Sequence, residues 1–194
     1  MKAVRTLSEL RAAGLGTPHA ARGTLRTARG GRDPQPNSGR GQRLLRYDML
    51  RSPYPTTLPD GPVRTFELDL AGDMEKYLWS MGGEYFKEAY VPNPDARELD
   101  IAYGDRVRVI MPNRSKMAHP MHLHGHFYRI VPEGLDWSTP DLPLKDTVVS
   151  YPGDTTRLEF TADNPGNWFF HCHNLYHLAA GMAREFRYTV TEDG

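Results

Sequence analysis

Phe66, Leu68 and Leu70 alternate with polar residues, and Val107, Val109 and Met111 do the same behind the Gly104-Asp105 pair. A period of two marks half-buried strands. Phe127 to Val131, Thr147 to Tyr151, Leu158 to Phe160, Trp168 to His171 and Phe186 to Val190 predict further short strands. Turn-forming groups separate them: Pro92-Asn93-Pro94, Pro112-Asn113, Pro152-Gly153-Asp154 and Asn164-Pro165-Gly166-Asn167. Many short strands with regular punctuation predict an all-β domain, an antiparallel sandwich or barrel. Met74 to Trp79 fits either a short helix or an irregular strand.

Composition divides the chain in two. Residues 1–51 carry eleven Lys or Arg against three acids, and the rest carries the compensating negative excess. The basic part contains Arg-Gly-Gly-Arg and Gln-Pro-Asn-Ser-Gly-Arg-Gly and almost no aromatic residues. Such a stretch cannot bury enough apolar surface to offset its conformational entropy. Residues 1–60 are therefore expected to form a basic, low-complexity tail or linker, and residues 61–194 the folded domain. No nucleic-acid motif or interleaved aromatic accompanies the basic charge, so no nucleic-acid partner is expected. No apolar run has the length of a membrane span. The charged start lacks the apolar core of a secretory signal, so an exported form is expected to take its signal from outside this chain.

Histidine usage adds the chemistry. Seven of the eight histidines fall in two short segments, His119-Pro-Met-His122-Leu-His124-Gly-His126 and His171-Cys172-His173-Asn-Leu-Tyr-His177, with Met182 just beyond. Cys172 is the chain's only cysteine, so no internal disulfide forms. Two imidazoles, a thiolate and a weak axial thioether are the ligands of a blue copper centre. Structural zinc favours four tetrahedral ligands, usually with several cysteines, and a single thiolate with a methionine fits it poorly.

Strand geometry sorts these ligands. Side chains alternate across a strand, so His171 and His173 face one way and Cys172 the other. The thiol can serve one metal inside the sandwich while its neighbours serve others outside. His122 and His124 share a face and go with the outer group. His119 is placed on a bend before them, facing the Cys172 site. His177 and Met182 must return to the same site, which predicts a loop or a single helical turn from Asn174 to Gly181. His126 is surplus to the ligand count and reads as a packing or supporting residue.

The two motifs resemble the last two copper motifs of multicopper oxidases: laccases, ascorbate oxidase and, above all, the bacterial copper-resistance oxidases. Asp73-Met-Glu-Lys-Tyr-Leu-Trp, Lys145-Asp-Thr-Val and Ala162-Asp-Asn-Pro-Gly-Asn-Trp resemble the final domain of that family. The resemblance covers about Val63 to Val190 and implies a cupredoxin fold, a Greek-key β-sandwich. It implies copper as cofactor, with His119, Cys172, His177 and Met182 at a mononuclear type 1 centre. His122 would serve type 2 copper, and His124, His171 and His173 the type 3 pair. It further implies one-electron oxidation of phenols or cuprous ion coupled to reduction of dioxygen to water. A periplasmic or extracellular location is implied as well. The trinuclear cluster of the family takes eight histidines, of which this chain offers four. The others are expected from an N-terminal cupredoxin domain on a separate polypeptide or in a longer gene product, and the isolated chain is expected to turn over little or not at all. The alternative is a stand-alone blue copper electron carrier, for which the type 1 ligands suffice.

Overall fold

The computed structural model describes residues 45–86 and 98–189. The basic stretch up to residue 44 with His19, the Pro92-Asn93-Pro94 turn and Val190 lie outside the described residues. All described residues fall within one unit, residues 36–194.

The alternating segments become strands of two five-stranded sheets. The strands are β1 (Val63–Glu67), β2 (Leu70–Asp73), β3 (Leu78–Met81), β4 (Leu99–Ile101), β5 (Arg106–Pro112), β6 (His119–Leu123), β7 (Tyr128–Ile130), β8 (Leu144–Lys145), β9 (Thr147–Ser150), β10 (Thr155–Thr161), β11 (Asn167–Cys172) and β12 (Ala183–Tyr188). One sheet has the order β1-β5-β10-β7-β8, the other β4-β12-β11-β6-β9, and β2 pairs with β3 in a separate hairpin. The fold is all-β, with one five-residue α-helix, α1 (Leu175–Ala179), among the described residues.

The alternation in β5 sends Val107, Val109 and Met111 into the core and leaves Arg106, Arg108 and Ile110 on the outer face. Leu158 and Phe160 of β10 join them from the same sheet, and Met121, Leu123, Val148, Phe170, Cys172 and Phe186 meet them from the other. Phe186 is the hub, with ring centroids 5.6 Å from Phe66, 5.4 Å from Phe160 and 5.7 Å from Phe170. The contacts with Phe66 and Phe160 are edge-to-face, and such pairs stabilise by about 0.5–1.5 kcal/mol each beyond simple burial.

The fold departs from the expected pattern in several places. The outer pairs β1–β5 and β4–β12 are parallel, so neither sheet is wholly antiparallel. A parallel pair needs a long crossover, which alternation within a segment does not reveal. The Phe66-Leu68-Leu70 alternation is broken: Leu68 follows the end of β1, and Leu70 opens β2 in the separate hairpin. Phe127 stays outside β7 and is exposed. Met74 to Trp79 is neither one helix nor one strand. Asp73 accepts from the amides of Glu75 and Lys76 at 2.9 and 3.0 Å, which caps a turn. β3 begins at Leu78 after that turn.

Part of the stretch up to residue 60 packs on the sandwich. Ser52 and Thr56 donate backbone hydrogen bonds to the carbonyls of Asp141 and Pro140, at 2.8 and 2.7 Å. The Tyr47 hydroxyl accepts from the Val149 amide at 3.1 Å.

Candidate metal centre

β11 and β6 lie side by side in antiparallel register, with Cys172 opposite Met121 and His171 opposite His122. The register places a thiol on the core face and two imidazoles on the other. Cys172 is fully buried. His119 also lies on the core face: it begins β6, whose buried positions are His119, Met121 and Leu123. The bend expected at Pro120 is not needed. His122 lies three positions after His119, and an odd spacing on a strand puts them on opposite faces.

The inner cluster gathers His119, Cys172 and His177. The two Nδ1 atoms are 3.0 Å apart, and the Cys172 Sγ lies 3.7 Å from that of His119 and 3.6 Å from that of His177. His177 reaches the site on α1, whose N-cap Asn174 accepts from the Tyr176 amide. Gly181 then turns the chain at φ 111, a left-handed conformation that favours glycine. That turn lets the Met182 amide bond the His177 carbonyl and the Met182 carbonyl accept from the Cys172 amide, both at 3.0 Å. Met182 is fully buried in the same core as Cys172.

The outer cluster gathers His122, His124 and His171, with ligand atoms within 4.8 Å of one another. The His124 and His171 Nε2 atoms are 3.0 Å apart. The His173 ring lies 5.7 Å from that of His122 and 5.8 Å from that of His171. His122 Nδ1 sits 2.9 Å from the Asp146 carbonyl, and His171 Nδ1 sits 3.0 Å from the Cys172 carbonyl. A carbonyl only accepts, so both rings carry the proton on Nδ1 and turn a lone pair at Nε2 outward. Asp146 thus orients a ligand by its backbone rather than its carboxylate. His126 stacks on Tyr188 and takes a 2.8 Å hydrogen bond to its hydroxyl, a packing role beneath His124.

Two supporting groups, the Asn113–Ser115 pair and Trp79, escaped the sequence reading. Asn113 donates its amide to the Met117 and Ser150 carbonyls, so its Oδ1 faces Ser115. Ser115 donates to that oxygen at 2.8 Å and sits 2.6 Å from His119 Nε2. With the serine proton given to Asn113 Oδ1 or to the Met117 carbonyl 3.1 Å away, the Ser115 oxygen accepts from His119 Nε2, the tautomer that leaves Nδ1 free for a metal. Trp79 is the second: it lies flat on His177, centroids 4.5 Å apart at 24°. Neither group belongs to a histidine motif, and Asn113 and Trp79 are fixed by contacts with distant strands and turns.

Electrostatics favours metal ligation at both clusters. Burial, with His177 nearby, holds His119 down at about 4. Burial likewise brings His171 to about 4. Imidazoles so placed are neutral at neutral pH, the form that binds metal. Burial pushes the Cys172 thiol up to about 11. A metal entering there must displace that proton. A buried thiol with two neutral imidazole lone pairs suits a soft, borderline cation such as copper.

Two packed β-sheets with a thiol-imidazole cluster inside and an imidazole cluster outside define a copper-site domain of cupredoxin type. A profile of the multicopper oxidase family matches residues 61–192, and the chain belongs to that family of copper-dependent oxidoreductases. It is 40% identical over 149 residues to a copper resistance protein A homolog of Pseudomonas syringae pv. tomato, covering 76% of this chain and 23% of that one. It is 36% identical over 129 residues to the multicopper oxidase MmcO of Mycobacterium tuberculosis, covering 66% and 23%. In fold it is similar to the McoA multicopper oxidase of Aquifex aeolicus, with a TM-score of 0.57 at 25% identity over 70% of this chain and 31% of that one. The chain spans less than a quarter of the length of these two curated relatives. Among the described residues no helix is long and apolar enough to cross a membrane.

Proposed function

We propose that this chain is the final cupredoxin domain of a multicopper oxidase, supplying the type 1 copper ligands and half of the ligands of a trinuclear cluster. The observation that carries this reading is the opposition of two ligand groups across one strand, with Cys172 facing His119 and His177 and His171 facing His122 and His124. His119, Cys172, His177 and Met182 would hold the type 1 copper. His122 would hold type 2 copper, and His124, His171 and His173 the type 3 pair. Copper at these places supplies one-electron redox chemistry, ending in reduction of dioxygen to water.

The protein's own part is positional. The buried rings keep water from the thiol, the carbonyls of Asp146 and Cys172 aim the outer imidazoles, and peptide bonds alone join Cys172 to His171 and His173. Four further histidines of the oxygen site would come from another cupredoxin domain, on the same or a second polypeptide. Phenols or cuprous ion are the proposed electron donors, and a periplasmic or extracellular setting fits copper resistance. A stand-alone electron carrier leaves the four outer imidazoles without a task.

Copper titration tests the reading. The chain alone is expected to bind one copper with intense visible absorption. With a domain carrying two His-x-His motifs it is expected to approach four coppers and gain oxidase activity. A chain that binds cuprous ion but stays colourless after oxidation would refute the type 1 assignment. Ser115→Ala is expected to weaken cupric binding about 10–100-fold, because His119 loses the partner that fixes its ring. A competitive titration against a chromophoric chelator measures this.

A further inference from the structure

His177 is 1% exposed, so its ring offers almost no edge to solvent. On one side it meets His119, ring centroids 4.8 Å apart, and on another Trp79 covers its face. Beyond Trp79 the rings continue outward. Tyr176 sits 5.6 Å from Trp79 at 78°, and Tyr77 lies 6.4 Å from Tyr176 at 87°. Trp79 is 1% exposed, whereas Tyr176 is 59% and Tyr77 56% exposed. A file of aromatic rings thus joins the surface to His177.

Local structure fixes the middle ring. The Trp79 amide donates to the Ala180 carbonyl at 3.0 Å, tying β3 to the turn that carries His177 and Met182. Its cross-strand partner on β2 is Gly72. A Cβ there would come within 2.8 Å of the indole, so only glycine leaves the ring its place. The indole N–H finds no acceptor among the described residues. A buried donor left so costs about 1–3 kcal/mol, which phenylalanine would avoid. Hydrogen bonding alone therefore favours phenylalanine, while filling the buried space and setting an electron-rich ring against an imidazole favour tryptophan.

We propose that Trp79 and Tyr176 form the electron-entry path to the metal held at Cys172, a step that rests on the copper reading above. One electron leaves a donor at the Tyr176 surface, passes through the contacting rings and His177, and reduces a cupric ion to cuprous. The donor is oxidised by one electron. A phenolic donor gives up its hydroxyl proton to water with the electron and leaves as the phenoxyl radical, whereas a cuprous donor gives up the electron alone.

The test is anaerobic stopped-flow reduction of the full copper-loaded chain by hydroquinone, read as bleaching of the visible absorption. Tyr176→Leu is expected to slow bleaching several-fold while the absorption spectrum and reduction potential stay those of the wild type. Trp79→Leu is expected to slow it by an order of magnitude, with Trp79→Phe between. Tyr103→Leu, at a more exposed tyrosine outside the file of rings, is expected to bleach at the wild-type rate. Where Trp79→Leu fails to fold, the exposed Tyr176 variant still decides. Blue variants at Tyr176 and Trp79 that bleach at the wild-type rate overturn the path alone. A slower rate matched by a shift in potential makes the rings positioning residues and also overturns it. A wild-type chain that never turns blue overturns the copper reading and the path together.

Discussion

In the copper-loaded complex with a domain carrying two His-x-His motifs, Cys172→Ser is expected to abolish the intense visible absorption and leave copper binding at the outer histidines intact. The absorption of a blue site comes from charge transfer between thiolate and cupric ion, and a hydroxyl is neither soft nor ionised at neutral pH. The inner cluster then offers two imidazoles and a thioether, and its cupric affinity is expected to fall by orders of magnitude. His122, His124 and His171 lie on the opposite face and share no ligand atom with the thiol. The stoichiometry should therefore drop by one and no more. The converse variants, His122→Ala and His124→Ala, should leave the colour unaltered while the remaining copper signal changes in electron paramagnetic resonance. Burying a hydroxyl in place of a thiol costs about 1–3 kcal/mol, so circular dichroism must accompany the spectra. Loss of colour in the His124 variant as complete as in the Cys172 variant would place thiol and outer imidazoles around one metal, and the two-cluster reading would fail.

The separation was visible in the sequence because a strand has a period of two, and His171-Cys172-His173 is long enough to show it. The same rule, applied strictly, also places His119: its odd spacing from His122 suffices, and the bend assigned to Pro120 was superfluous. The single turn of helix between Asn174 and Gly181 followed from the need for His177 and Met182 to return to one site. Ser115, Asn113 and Trp79 were not legible. Each acts through a partner fixed by tertiary pairing: Asn113 through the Ser150 carbonyl, Trp79 through the Ala180 carbonyl. Local periodicity says nothing about which strand lies next, and so the parallel edges β1–β5 and β4–β12 were also missed. The Leu68 break has the same origin, since the Leu68 amide closes onto the Ile110 carbonyl of β5 before the chain leaves for the hairpin.

Glu159→Gln is expected to cost about 3–5 kcal/mol of stability, because it strands a buried guanidinium. Glu159 points away from the core between Leu158 and Phe160, yet it and Arg129 are both fully buried. One carboxylate oxygen is 3.1 Å from Arg129, and the other is 3.1 Å from Arg106 and 2.9 Å from Arg108. Arg106 and Arg108 keep part of their surface in water and can re-solvate. Arg129 cannot, since it is fully buried, with its Nη atoms on the Trp137 and Thr139 carbonyls of the overlying loop and its Nε without a partner among the described residues. Arg108 lies 4.6 Å over the Trp137 ring, and Arg157 ties the same loop at the Pro132 and Leu135 carbonyls. The carboxylate is thus the counter-charge shared by Arg129, Arg106 and Arg108 beneath this loop. Urea unfolding reads the effect as a lower midpoint, with a changed slope if the loop opens before the sandwich. Replacing both partners, Glu159→Leu with Arg129→Met, is expected to recover much of the loss, since an apolar pair leaves no stranded charge. A single Glu159→Gln change that costs less than about 1 kcal/mol would mean that Arg129 finds water and that the loop is held by its other contacts. The copper colour of the folded fraction should not change in either variant, because Glu159 sits on the outer face of the sheet opposite the one that carries Cys172.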